Sequence, residues 1–192
     1  MTIRQPIPSE YHKVESTVRD AFWNVYREGA IEHYVLHNMR QEKDFVSELE
    51  YIIEEDGNIV AAIAYMLADI KADNGEDKKM LLLGPVGVLP KYQTKGYGRA
   101  LIEYTLDKAK ALNYPCVVLS GNPFYYSQFG FESASNYGIY YKGLDKEAQS
   151  PFFMIKIFDE DRTKKLKGVY SDPIVYYPSD ADVKEYDKLF TE

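Results

Sequence analysis

The stretch from Leu83 to Leu101 narrows the folds open to this chain more than any other part of it. It runs from an apolar strand ending at Val88 through a basic turn, Pro90-Lys91-Tyr92-Gln93-Thr94-Lys95-Gly96. It then enters the opening turn of a helix at Tyr97-Gly98-Arg99-Ala100-Leu101. A turn of this kind leaves several backbone N–H groups without partners and aimed the same way, at the positive end of the helix dipole. That geometry receives a phosphate or pyrophosphate. Gly96 and Gly98 lack the Cβ that would hold an anion off the backbone. Lys91, Lys95 and Arg99 bring positive charge to the same place.

Two familiar phosphate patterns do not fit. No Gly-Lys-Ser/Thr follows a glycine at the Walker spacing, and Gly96-Tyr97-Gly98 continues without the third glycine of a dinucleotide site. The helix after the turn is amphipathic: Leu101, Ile102, Thr105, Leu106, Ala109 and Leu112 share a face, with Glu103, Asp107, Lys108 and Lys110 mostly off it. Asn113-Tyr114-Pro115 stops it, and the apolar run Cys116–Ser120 reads as a buried strand. Strand, crossover helix and strand imply a parallel or near-parallel neighbouring pair. Asn122 before Pro123 is a helix N-cap with proline at the first helical position, and Gly130 is a stop. The segment therefore makes two helical turns and re-enters a strand at Phe131.

Elsewhere, Glu50–Tyr65 reads as two strands around an Asp56-Gly57-Asn58 turn. A short extended segment surrounds Ile3. Ser9 is placed to cap a helix whose Val14, Val18, Ala21, Phe22 and Val25 form one face. A second helix is expected from Ile31 to about Met39, and the polar run Lys71–Lys79 reads as a hairpin loop. Later come a strand over Phe152–Phe158, another within Val169–Tyr177, and a short terminal helix over Asp182–Phe190.

At 192 residues the chain is long enough for one substantial core and short for two domains. No stretch reaches the length of a membrane span, and the first residues carry no secretory apolar core. The single Cys116 forms no internal disulfide, which suits a reducing cytoplasm; in an apolar strand it reads as a buried, inert thiol. A net charge of −7 argues against nonspecific nucleic-acid binding and slightly favours cationic ligands such as amines.

Gln93-x-x-Gly96-x-Gly98 after a strand resembles the acyl-CoA pyrophosphate loop of the GCN5-related N-acetyltransferases. Asn122 followed by Tyr126-Ser127-Gln128-Phe129-Gly130-Phe131 resembles a second motif of that family, in the right order and about thirty residues on. The two strands within Glu50–Tyr65 resemble the family's second and third strands. The run from Asn122-Pro123 to Ile139 is similar to one bacterial branch of predicted acetyltransferases. The resemblance covers most of residues 2–140. It implies an α/β fold of the acyl-CoA N-acyltransferase type: a mixed, largely antiparallel central sheet flanked by helices. It also implies one domain over residues 1–192, with a core to about 140 and C-terminal strands and a short helix over about 150–192.

The resemblance further implies acetyl transfer from acetyl-CoA to an amine by direct attack on the thioester, without metal. In the family, free backbone groups of the strand before the loop pair with the pantetheine and acetyl carbonyl, a role that falls here on Val86, Gly87 and Val88. Gly87 is either a bulge that opens the strand or an ordinary strand glycine. Gln93 opens the loop motif, and the backbone amides of Thr94, Lys95, Gly96, Tyr97, Gly98 and Arg99 are the cradle. Asn122 reaches the pantetheine arm, caps its helix, or does both. Tyr126 is matched to the group that meets the departing thiolate. An ordinary phenol has a pKa about 1.5 above a thiol's, so full proton transfer is uphill by roughly 2 kcal/mol. A hydrogen bond that steadies the thiolate serves as well.

No general base stands out, since Glu54, Asp69, Glu76 and Asp77 all read as solvated surface. His33 and His37 have the spacing of a metal pair but no evident third ligand. A catalytically silent acyl-CoA-binding sensor would keep the Gly96/Gly98 cradle without needing Tyr126. Tyr137, Tyr140, Tyr141, Tyr170, Tyr176 and Tyr177 suit a peptide or sugar surface, a homodimer contact, or half-buried strand positions. The expected partner is a small-molecule or peptide amine acceptor, with no nucleic acid and no membrane.

Overall fold

The computed structural model describes residues 1–145 and 150–190. Among the described residues nine strands form one mixed sheet: β1 (Thr2–Arg4), β2 (Tyr51–Glu55), β3 (Asn58–Ala72), β4 (Asp77–Val88), β5 (Cys116–Ser120), β6 (Glu132–Ser133), β7 (Ile139–Tyr141), β8 (Phe153–Ile157) and β9 (Gly168–Tyr170). Their order is β1-β2-β3-β4-β5-β8-β6, with β9 paired to β3 and β7 to β9. Among the described registers only β4–β5 and β7–β9 are parallel. The parallel β4–β5 pair has the helix α3 (Tyr97–Ala111) as its crossover.

The chain divides into two compact units. The first comprises Met1–Tyr65, Gly84–Thr105 and the segment from Ile174. Its β2–β3 hairpin turns at Asp56 and Gly57, with φ of 50° and 75°, the left-handed pair that a two-residue hairpin requires. Helices α1 (Tyr11–Phe22) and α2 (Glu32–Met39) bury Val14, Val18 and Ala21, and Val35, Leu36 and Met39. The apolar face of α3 holds for Leu101, Ile102, Leu106 and Ala109, while Leu112 lies past the helix end and is exposed.

The second unit comprises Met66–Leu83 and Leu106–Pro173. Cys116, Val117, Val118 and Leu119 of β5 are all buried, with β8 as their antiparallel neighbour. Burial pushes the Cys116 thiol up to about 12, which makes it inert at neutral pH. Asn122 accepts from Phe124 N–H at 3.0 Å and caps α4 (Pro123–Tyr126); Gly130 ends the following turn at φ 77°. A short α5 (Glu160–Thr163) is capped by Asp159.

Several expectations need correction. Pro8 starts a 3-10 turn over Pro8–Glu10, so Ser9 lies inside that turn and caps nothing; α1 begins at Tyr11. Val25 falls beyond the helix and is exposed. The hairpin loop shrinks to residues 73–76, because the polar flanks Lys71, Ala72, Asp77, Lys78 and Lys79 remain in strands. Val169–Tyr177 splits into β9 and a 3-10 turn over Ile174–Tyr176. The terminal helix, α6 (Asp180–Asp187), starts two residues early because Ser179 caps it by accepting from Asp182 N–H.

Candidate active site

In the first unit, β4 ends at Val88 and the chain turns through Pro90–Tyr92 before reaching α3. Gln93 ties this turn to the strand, its side-chain amide donating to the Val88 carbonyl at 3.1 Å. Thr94 and Gly96 both take left-handed backbone, with φ of 63° and 88°. For Thr94 this is strained, and such strain persists where the surrounding turn enforces it. The Ala100 N–H donates to the Gly96 carbonyl at 2.9 Å. The backbone N–H groups ahead of that bond, from Gly96 to Gly98, therefore have no acceptor within the helix. A Cβ built on Gly96 would meet nothing within 4 Å. The space in front of Gly96 is open.

The side chains round the turn sort by partner. Lys91 and Lys95 hold their ammonium groups 5.0 and 5.2 Å from the centre of the Tyr92 ring. Tyr92 meets Tyr97 edge-on at 5.7 Å. Desolvation first, then the Glu55 carboxylate, raise the Tyr97 phenol above its ordinary pKa. Arg99 pairs with Glu103 at 3.2 Å, one turn along α3.

Val86 and Val88 are half-buried on the strand before the loop and Gly87 is buried. The described β4–β5 register covers Leu81↔Val117 and Leu82↔Val118, while β4 runs six residues further. Gly87 is a position of close approach: a Cβ there would stand 3.1 Å from Ala21 Cβ and 3.3 Å from Val18 Cα on α1. At Gly84 a Cβ would stand 2.8 Å from Met39 Cε on α2 and 3.1 Å from the Tyr176 hydroxyl. Positions three apart in a regular strand face opposite sides. Both nevertheless point at the packed α1–α2 pair, so the strand departs from regular pleating between Gly84 and Gly87.

In the second unit, Asn122 is committed through its side-chain oxygen to capping α4. Tyr126, half-buried at the end of that helix, lies over Gly121. A Cβ on Gly121 would overlap Cε2 of the ring and stand 2.8 Å from Cδ2. Rings of Tyr125, Phe129 and Phe131 surround Tyr126 at 5.1 to 6.4 Å. Tyr125 is turned further out to solvent.

The other candidate carboxylates, Glu54, Asp69 and Glu76, pair with cations, and Asp77 is exposed at the start of β4. Glu54 and Glu10 both clasp Arg4, Asp69 pairs with Lys79, and Glu76 pairs with Lys78. His33 is buried against the rings of Tyr186 and Phe190, 3.4 Å from Asp187, while His37 meets Tyr186 at 2.7 Å and Glu15 at 3.3 Å. Among the described residues no group of three or more His, Cys, Asp or Glu could hold a metal. Tyr170 is fully buried, Tyr141 and Tyr170 both donate to Asp172, and Tyr137 donates to Glu132. Tyr140, Tyr141 and Tyr170 thus stand on strands, whereas Tyr137 and Tyr176 lie in 3-10 turns and Tyr177 is exposed. Sequence reasoning missed the buried cluster in which Arg40 bridges Glu15 at 2.6 Å and Glu50 at 2.5 Å, each side chain 4% exposed. Three charged residues on three separate elements leave no periodic trace.

A mixed, mainly antiparallel sheet with a basic, glycine-marked loop leading into the helix between its parallel strands defines an α/β protein of the acyltransferase class. Residues 2–134 match the family model of the acetyltransferase (GNAT) domain, and the chain belongs to that family. It is 28% identical over 139 residues to the uncharacterized N-acetyltransferase YhbS of Escherichia coli K12, covering 72% of this chain and 78% of that one. The crystal structure of E. coli YhbS in complex with CoA resembles it with a TM-score of 0.77 at 24% identity, over 92% of each chain. A GNAT family acetyltransferase from Brucella melitensis in complex with acetyl-CoA has a TM-score of 0.71 at 24% identity, over 91% of this chain and 97% of that one. Among the described residues no helix is long and apolar enough to cross a membrane.

Proposed function

We propose that this chain is an N-acetyltransferase that moves an acetyl group from acetyl-CoA to an amine of a small molecule or peptide, acting as one functional domain in the cytoplasm. The observation that carries the reading is the exposed cradle at Gly96, where left-handed backbone and an absent Cβ open the start of α3 to an anion. Its family and the acetyl-CoA bound by the Brucella protein support the choice of donor.

Bound acetyl-CoA would supply an activated acyl carbon and a thiolate leaving group. The backbone N–H groups of Thr94, Lys95, Gly96, Tyr97, Gly98 and Arg99 would hold the pyrophosphate, with Gln93 bracing the turn against Val88. Backbone groups of Val86, Gly87 and Val88 would align the pantetheine and the acetyl carbonyl, and holding both reactants in register provides much of the rate. Asn122 keeps its amide nitrogen for the pantetheine arm while its oxygen caps α4. Tyr126 would hydrogen-bond the sulfur as the C–S bond breaks and the C–N bond forms, the amine proton passing to solvent.

Calorimetric titration with acetyl-CoA tests the cofactor site. Saturable binding that Gly98→Trp abolishes is the expected result; no binding by folded protein at millimolar acetyl-CoA would overturn it. With binding established, Tyr126→Phe is expected to lower turnover on an amine panel tenfold or more with little change in acetyl-CoA affinity. Binding without turnover across that panel would favour the silent sensor.

A further inference from the structure

A hollow of about 310 Å³ lies in the first unit, walled by residues of β1, α1, the β2–β3 turn and the segment following β4. Its size falls at the lower end of the range for small-ligand sites, about 300–1,000 Å³. We propose that it binds a small phosphate monoester with an apolar body.

The charge of its wall carries the argument. Arg4 is fully engaged, bonded to Glu10 at 2.7 and 2.6 Å and to Glu54 at 2.9 and 2.6 Å. The same clasp, with Arg4 as its largest cause, holds the Glu10 carboxyl down at about 2, so it stays ionised and committed. Lys13 and Lys91 line the same hollow. Neither is held in an ion pair among the described residues: Lys91 lies 5.0 Å over the Tyr92 ring, and Lys13 acts on Glu10 only through its longer-range field. Three cations against two carboxylates leave the wall net positive in a chain whose net charge is −7. Two lysines from different elements lining one concavity are suited to a dianion, since each side chain is a mobile point charge able to swing onto phosphate oxygen.

The rest of the wall sets the remaining shape. Ser16 offers a hydroxyl at the rim, while Ile59 and Leu89 present carbon. His12 is held by stacking on Phe190 at 4.5 Å and by its 3.2 Å contact with the Leu189 carbonyl. None of the loop residues from Gln93 to Arg99 takes part. Lys91 belongs to the same basic turn, so Lys13 on α1 and Gly98 on α3 are the positions that separate the hollow from the proposed pyrophosphate cradle.

Titration calorimetry with phenyl phosphate as the probe, and phenol as its uncharged control, tests this. The proteins compared are wild type, Lys13→Gln, Lys91→Gln, the double variant and Gly98→Trp. The expected result is saturable phenyl phosphate binding in wild type and in Gly98→Trp, no binding of phenol, and affinity at least tenfold lower in the double variant. Each single variant falls between, which separates charge loss from misfolding. Absence of binding by wild type would overturn the proposal. So would loss in Gly98→Trp with retention in the double lysine variant, because the probe would then occupy the α3 loop. Acetyl-CoA titrated in parallel keeps the two readings apart: its failure beside intact phenyl phosphate binding counts only against the acetyltransferase.

Discussion

Gly121 makes room for Tyr126. The ring lies where a Cβ on residue 121 would stand, so the identity of one residue fixes the rotamer of the other. Gly121→Ala should displace the phenol without removing it. On the proposed mechanism turnover falls tenfold or more, as in Tyr126→Phe, while acetyl-CoA affinity changes little. Steady-state kinetics on both variants check this. Full activity in Gly121→Ala would show that the ring's present placement is not needed.

Gly87 and Gly84 both sit under helices, but their neighbours yield differently. At Gly87 the obstacles are Ala21 Cβ and the backbone of Val18, which cannot move without shifting α1. At Gly84 the nearest atom is the flexible end of Met39, and the backbone obstacle is the Ala64 carbonyl oxygen at 3.1 Å. Gly87→Val is expected to cost about 1–3 kcal/mol in urea unfolding, the range for overpacking a tight contact, and Gly84→Ala less.

Removing Arg40 takes the guanidinium away from two buried carboxylates, Glu15 and Glu50. Arg40→Met should destabilise by about 3–5 kcal/mol, the usual cost of breaking a buried ion pair from one side. Desolvation already raises Glu50 above the ordinary carboxylate range, against the pull of Arg40. A carboxyl with a folded pKa above its unfolded one binds more protons when folded, so stability falls as pH rises through that window. Loss of Arg40 widens the window upward. The deficit of Arg40→Met should therefore be smaller at pH 5 than at pH 7.5 in thermal melts, whereas a deficit equal at both would refute this account.

His33 behaves in the opposite sense. Burial holds its imidazole down at about 4, against an ordinary value of 6.5, so it is neutral in the fold. As pH falls from 6.5 to 4 the unfolded chain takes up a proton that the folded chain refuses, and stability is lost across that interval. His33→Leu should flatten the pH dependence between those limits. Urea midpoints at pH 7, 5.5 and 4.5 read the slope, and parallel curves for the two proteins would rule out a buried neutral imidazole.

Local chemistry made much of this fold readable. The Asp56-Gly57 turn, the stop at Asn113, the Asn122-Pro123 cap and the Gly130 stop each follow from the conformational preference of one or two residues, and each lies where the sequence puts it. The strand, loop and helix from Leu83 to Ala111 were legible for the same reason. What failed depended on distant partners. Lys71, Asp77, Lys78 and Lys79 look like loop residues, yet their backbone continues the β3–β4 strands, with Lys71 registered against Val169. Ser9 has the chemistry of a cap, but Pro8 starts the turn a residue earlier. Glu15 and Arg40 look like surface charges until α6 brings Tyr186 to donate to Glu15 at 2.7 Å.

That last contact has a bearing on how the chain is made. Asp187 binds Arg19 at 2.5 Å, Asp180 binds Arg27 at 2.6 Å, and Tyr186 reaches Glu15, so α6 fastens onto a region synthesised well before it. The first unit is thus assembled from the opening residues, a middle stretch and a segment near the other end of the sequence. At roughly 5–20 residues per second, translation keeps α1 waiting on the order of ten seconds for its last partners. During that interval Glu15 lacks Tyr186, and Arg40 and His37 are the partners left to shield it.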